Sequence, residues 1–207
     1  DTASFSLKAT LTFGKTPDVF LSGIAISPDG SRVYVTEGTG GNVWVVDTAT
    51  NSIAATIALA NSGLGNASVS PDGKTLYVVA WTKGTIGNSY YLEVIDTHTN
   101  TATGHIDLGD FGLPTEIAQT PDGAHLYFTG LVGDLMVIDT ANNAVADRVT
   151  ISKGNPLLGV AITPDGTRAY VSCGNNDTIY VVDTATNRVL ESIRSDYPGG
   201  LAIAQAR

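Results

Sequence analysis

The stretch Ser27-Pro28-Asp29-Gly30-Ser31-Arg32-Val33-Tyr34-Val35 returns as SPDGKTLYV at 70–78, TPDGAHLYF at 120–128 and TPDGTRAYV at 163–171, a period of 43 to 50 residues. Each copy leads into a second apolar run that ends in Asp-Thr: VWVVDT at 43–48, LEVIDT at 92–97, LMVIDT at 135–140 and IYVVDT at 179–184. Proline presets φ at the first turn position, aspartate bonds its own backbone, and glycine accepts positive φ. Pro-Asp-Gly between two apolar runs is therefore a tight turn between strands. A period of this length built wholly from strands and turns signals a β-propeller, with one four-stranded antiparallel blade per repeat.

In the first unit strand A reads GIAIS at 23–27, strand B RVYVTE at 32–37, strand C NVWVVD at 42–47 and strand D SIAATIAL at 52–59. The same order places blades at 23–59, 66–108, 116–151 and 159–194 of a single all-β propeller domain or fragment. Residues 5–13 match strand D, and GLAIAQ at 200–205 matches strand A. The expected architecture is thus four complete blades with a leading strand D and a trailing strand A. Such an arc leaves blade faces and strand edges bare. A larger ring, of about seven blades, or another chain is expected to close it; an unusual small closed ring is the third reading. The first residue is Asp1 rather than Met, which fits a processed or trimmed chain and an extracytoplasmic, secreted or cell-surface protein.

Composition narrows the function classes. Acidic residues outnumber basic ones by 20 to 11, for a net charge of −9, and the basic residues are scattered singly. Nucleic-acid phosphates and anionic membranes are poor partners for such a surface. No run approaches the ~18 apolar residues of a membrane-spanning helix. Cys173 is the one cysteine, so no internal disulfide forms, and it reads as a buried structural thiol. The histidines, His98, His105 and His125, fall in different repeat positions and do not converge on a metal.

Two sets of aligned residues invite functional readings and have simpler ones. Tyr34, Tyr77, Tyr127 and Tyr170 occupy the same place in strand B, as expected for packing between blades. Asp47, Asp96, Asp139 and Asp183 each end strand C, where a carboxylate accepts the N–H groups of the next turn.

VYVTE at 33–37, after AISPDGS and before VWVVDTATNSIAATI, resembles the YVTN family of β-propeller repeats, and the likeness covers nearly the whole chain. LYVVA, LYFTG and AYVSC are weaker copies. The resemblance implies a propeller fold and a surface-layer-like or secreted setting. It also implies kinship with lactonase-like and streptogramin-lyase-like propellers, and with the heavy subunits of quinone-dependent amine dehydrogenases. It supplies no catalytic residue for any position here.

In a propeller the D–A and B–C loops share one face, and the A–B and C–D turns share the other. The turn face is near-uniform here, so ligand specificity is expected on the loop face. D–A loops contribute Lys15 and Asp18, Asp110, Lys153, Asp196 and Tyr197 as candidate ligand-binding residues near the central funnel. At the start of strand A, Gly23, Gly159 and Gly200 leave room for close packing, while Asn66 and Glu116 break the rule. Their oxygens are the candidate ligands for a divalent cation such as calcium; no other cofactor is expected. The longest departure is TKGTIGNS at 82–89, a loop bounded by Trp81 and Tyr90, with Lys83 near its tip. It is the candidate contact for a protein or glycan partner.

The leading expectation is an extracytoplasmic binding or scaffolding module that mediates protein or glycan interaction. One alternative is a metal-dependent lactonase or lyase-like enzyme using the funnel, with Asn66 and Glu116 holding the ion. Another is a noncatalytic propeller subunit of a redox enzyme. The residues lean away from an enzyme, because no catalytic group can be assigned.

Overall fold

The computed structural model describes residues 6–14, 19–85 and 87–203. Sixteen strands form four antiparallel sheets, each ordered A-B-C-D as the chain runs. Blade 1 holds β1 (Leu21–Ile26), β2 (Arg32–Glu37), β3 (Asn42–Asp47) and β4 (Ser52–Ala58). Blade 2 holds β5 (Gly63–Val69), β6 (Thr75–Gly84), β7 (Gly87–Asp96) and β8 (Thr101–Asp107). Blade 3 holds β9 (Pro114–Gln119), β10 (His125–Gly130), β11 (Asp134–Asp139) and β12 (Ala144–Thr150). Blade 4 holds β13 (Leu157–Ile162), β14 (Arg168–Cys173), β15 (Thr178–Asp183) and β16 (Arg188–Arg194). The A strands of successive blades touch one another, so they line the inner side and the D strands form the outer rim.

The turns hold by the local chemistry that the sequence encodes. In the first A–B turn Asp29 Oδ1 accepts from Ser27 Oγ (2.6 Å) and from the Ser31 amide (3.0 Å), with Gly30 at φ +71°. The same pair of bonds recurs at Asp72, Asp122 and Asp165. In the C–D turn Asp47 Oδ1 accepts from the Thr50 amide (2.8 Å), and Thr48 Oγ1 donates back to the Gly30 carbonyl (2.7 Å). That threonine ties the two turns of each blade together, again through Thr97, Thr140 and Thr184. The C–D turns close on Asn51, Asn100, Asn143 and Asn187, all left-handed with φ between 50° and 55°. Asparagine tolerates that conformation better than most residues.

Three apolar seams join the four blades. Tyr34, Tyr77 and Tyr127 are buried in them. Tyr127 Oη donates to Asn187 Oδ1 (2.9 Å), with the Thr184 carbonyl at 3.2 Å, so the strand-B tyrosine reaches the C–D turn of the following blade. Burial, with Asp147, Asp183 and Asp122 nearby, pushes its phenol up to about 12. Cys173 is buried in the third seam.

The ends depart from expectation. Residues 6–13, the described part of the expected leading strand D, form no strand, and neither do 200–203 of the expected trailing strand A. A strand D needs its own strand C and a strand A its own strand B, and neither partner lies among the described residues. Both segments still dock on a blade. Phe13 packs on Trp44 with ring centroids 5.2 Å apart. Ser172 Oγ donates to the Gly199 carbonyl (2.5 Å), as Thr36 Oγ1 donates to the Gly65 carbonyl (2.7 Å) between blades 1 and 2. The A strands also start two or three residues earlier than the repeat suggested, because pairing resumes beyond an irregularity such as that between Leu64 and Ala67.

All four A–B turn aspartates, with Asp47, Asp96 and Asp183 of the C–D turns, are held below the ordinary carboxylate value by these hydrogen bonds, Asp29 most clearly at about 2 against 3.8. A carboxyl whose folded pKa is depressed contributes stability above its unfolded value, and that contribution is lost as pH falls through the folded value. Urea unfolding midpoints measured across the acid range should therefore fall progressively below pH 3.8 and toward about 2, where Asp29 titrates.

Candidate functional site

The loop face of blade 2 is the most elaborated. Strands β6 and β7 run ten residues each, against six for the B and C strands of the other blades. The segment expected as a loop at 82–89 is instead a continuation of the hairpin, paired Trp81 to Tyr90, Thr82 to Ser89, Lys83 to Asn88 and Gly84 to Gly87. Its turn uses Gly87 at φ +87°. Lys83 is exposed, and its amide takes a bond to Ser62 Oγ (3.0 Å).

Trp81 and Tyr90 are half-buried at the base of this hairpin. The Trp81 ring lies against the backbone of Gly63, where a Cβ would come within 2.6 Å of it. Phe20, 64% exposed, lies likewise against Gly38. These rings, with Leu113 and Pro114, line an apolar cleft of about 320 Å³ whose polar members are Ser22, Asn66 and Thr115. A second open cleft of about 430 Å³ lies along the inner strands and is lined by Ser22, Gly23, Asn66 and Glu116 among others. Ser22 and Asn66 belong to both. The geometry is a funnel with an aromatic mouth, and its floor sets Asn66 and Glu116 beside the apolar Leu21, Ile24 and Val35.

Asn66 and Glu116 come together on that floor. Asn66 Nδ2 donates to the Thr115 carbonyl (2.7 Å) and faces Glu116 Oε1 at 3.2 Å. Two acceptors fix the amide with its nitrogen toward them. The bond to Thr115 bridges blade 2 to blade 3. Thr36 and Ser172 make the equivalent bridge in blades 1 and 4, but blade 2 has Val79 at that strand-B position. Asn66 thus supplies from strand A the bridge that strand B lacks. Glu116 Oε1 also receives the Ile117 amide (3.2 Å), yet burial pushes its carboxyl above the ordinary value. Among the described residues no group of three or more His, Cys, Asp or Glu gathers as a metal-binding set.

The other sequence candidates scatter. Asp110 is exposed and pairs with Arg148 on the outer strand β12, away from the funnel floor. Arg148 also bonds Asp134 (2.8 Å) and lies over the Phe111 ring at 5.7 Å. Lys153 and Asp196 are exposed on D–A connections. Tyr197 is 74% exposed, and its amide bonds Asp177 Oδ1 (3.0 Å). Lys15 and Asp18 lie outside the described residues. Sequence reasoning missed Phe20 and Leu113, which fall outside the repeated motif. The signal that was available was a bulky apolar residue immediately before strand A in blades 1 and 3.

Four antiparallel blades joined by repeated seams define a β-propeller. No family model matches the chain. Over 141 residues it is 32% identical to the seven-bladed β-propeller protein Rv1057 of Mycobacterium tuberculosis, covering 64% of this chain and 33% of that one. The chain thus spans about a third of the length of that curated relative. Among solved structures, hydrazine synthase of Kuenenia stuttgartiensis aligns at TM-score 0.72 and 26% identity, covering 91% of this chain and 53% of that one. A chain of the mitotic checkpoint complex aligns at TM-score 0.72 and 17% identity, over 87% of this chain and 53% of its own length, and shows the fold alone. No helix of the described residues is long and apolar enough to cross a membrane.

The floor gives two opposite expectations. Asn66→Asp would set a carboxylate against a carbonyl and a second carboxylate, and should cost about 1–3 kcal/mol in urea unfolding. Glu116→Gln keeps an acceptor oxygen for both amides but removes the buried charge. A carboxyl raised in the fold destabilises once pH exceeds its unfolded value. The Gln variant should therefore be more stable than the parent at neutral pH, with the gain vanishing in acid.

Proposed function

We propose that this chain is a binding or scaffolding propeller module whose loop-face funnel takes a ring-bearing polar ligand, a glycan foremost. The observation that carries this reading is the continuity of the aromatic mouth at Phe20, Trp81 and Tyr90 with the Asn66–Glu116 pair on the floor. Flat apolar rings receive the faces of sugars or of aromatic and proline side chains, while an amide and a carboxylate bond hydroxyl or amide groups. The extended β6–β7 hairpin adds a wall for a protein partner. The likeness of the repeat to YVTN propellers supports an extracytoplasmic setting.

The chain has two tryptophans, and Trp44 is buried against Phe13. A Trp44→Phe variant makes Trp81 the sole indole reporter. Neutral and N-acetylated oligosaccharides and proline-rich peptides, titrated in turn, should quench or blue-shift its emission. Tyr90→Ala should weaken that response about tenfold, equal to 1.4 kcal/mol. Emission unmoved by every glycan and peptide would overturn the reading. The metal-dependent alternative is separated by calcium: it requires a rise in Tm with calcium that Glu116→Gln abolishes, whereas the binding module requires none.

A further inference from the structure

The seam between blades 1 and 2 contains a substitution that the other blades do not share. The strand-C residue three before the closing aspartate faces the preceding blade: Trp44 in blade 1, Glu93 in blade 2, Met136 in blade 3 and Tyr180 in blade 4. Trp44 is covered by Phe13, Met136 is buried in the seam between blades 2 and 3, and Tyr180 packs in the next. Glu93 replaces a large apolar side chain with a carboxylate, and a groove of about 400 Å³ opens there. Its apolar wall is Ala58, Leu59 and Ala60 at the end of blade 1, with Ala102 opposite. Its polar side is Asn61, Glu93, Tyr91 and His105.

The carboxylate is placed rather than loose. Asn61 Nδ2 donates to Glu93 Oε1 (2.9 Å) across the seam. His105 is the cross-strand partner of Glu93, and its ring meets Tyr91 edge-on at 5.3 Å, fixing both rings beside the groove. Among the described residues no cation pairs with Glu93. A half-buried carboxylate beside an apolar trough, with one oxygen engaged by a neutral donor, is complementary to an alkyl chain ending in a positive charge. Asp107 lies on the same face of blade 2 and adds to the negative potential.

We infer that this outer groove is a second binding site, separate from the loop-face funnel, for an alkylammonium group. The alkyl chain would lie on Leu59 and the alanines, and its ammonium would bond Glu93. A lysine side chain of a polypeptide and a free aliphatic amine share this chemistry. Neither the repeat nor the funnel requires the site.

The test is an amide NMR titration of the full chain with three probes: Nα-acetyl-lysine methylamide, Nα-acetyl-norleucine methylamide, which keeps the four side-chain carbons and lacks the ammonium, and n-butylamine. The lysine probe should shift the amides around Asn61, Glu93 and His105 and bind about tenfold more tightly than the norleucine probe. Butylamine matching the lysine probe would assign the site to free amines, and weaker butylamine would assign it to peptide lysines. Glu93→Gln retains an oxygen for Asn61 and should weaken the lysine probe about tenfold. Glu93→Met, which imitates blade 3, should close the groove and abolish binding while the protein stays folded. Equal binding of the lysine and norleucine probes, or lysine affinity unchanged in both variants, would overturn the inference.

Discussion

Each blade of this protein is apolar on both faces, so no blade can stand without a neighbour on each side. The rest of the structure follows from that constraint. The strand-A residue facing the preceding blade is buried at Ile117 and Val160 but 72% exposed at Ile24 of blade 1. The strand-D residue facing the following blade is buried at Ile57 and Ile106 but 43% exposed at Ile193 of blade 4. The two outer faces of the four-blade arc thus carry the residues that every internal seam covers. Similarity to a seven-bladed propeller three times as long as the matched share agrees with that geometry.

The seams also explain where function can be written. The turn face repeats one hydrogen-bonded device in the four A–B turns and varies it little in the C–D turns, where Asn142 stands in for threonine in blade 3. The loop face and the seam edges tolerate exchange if the lost contact is replaced. Blade 2 shows both outcomes. Asn66 restores from strand A the interblade bond that Val79 forgoes, and so brings an amide to the funnel floor. Glu93 leaves a large apolar residue unreplaced, and so opens a groove. Both departures lie in blade 2 together with the lengthened hairpin, while Glu116 brings a third to blade 3.

The fold was legible because its turns are local. Pro-Asp-Gly and Asp-Thr encode bonds spanning two or three residues, and the aspartates act as the sequence suggests. The burial of Tyr34, Tyr77 and Tyr127 between blades was equally readable from their register. The site was less so. Asn66 and Glu116 stood out because glycine was expected, but their contact spans fifty residues of sequence. The hairpin at 82–89 read as a loop because glycine and polar residues mask its pairing. Asp110 was placed near the funnel, but Arg148, distant in sequence, holds it at the rim. The Glu93 anomaly was visible by aligning Trp44, Met136 and Tyr180, but only the sheet geometry shows that this position faces a neighbouring blade.

The central claim is that the blades are joined through repeated, specific seams. A double-mutant cycle on Tyr127→Phe and Asn187→Gly tests it most directly, since glycine keeps the left-handed turn, and the cycle cancels the separate loss of the Asn187 Nδ2 bond to Asp147 Oδ2 (3.1 Å). Unfolding free energies should reveal a coupling of about 1 kcal/mol between the two positions. Additivity within about 0.3 kcal/mol would contradict the account, because the specific Tyr127–Asn187 bond would then contribute nothing to the seam.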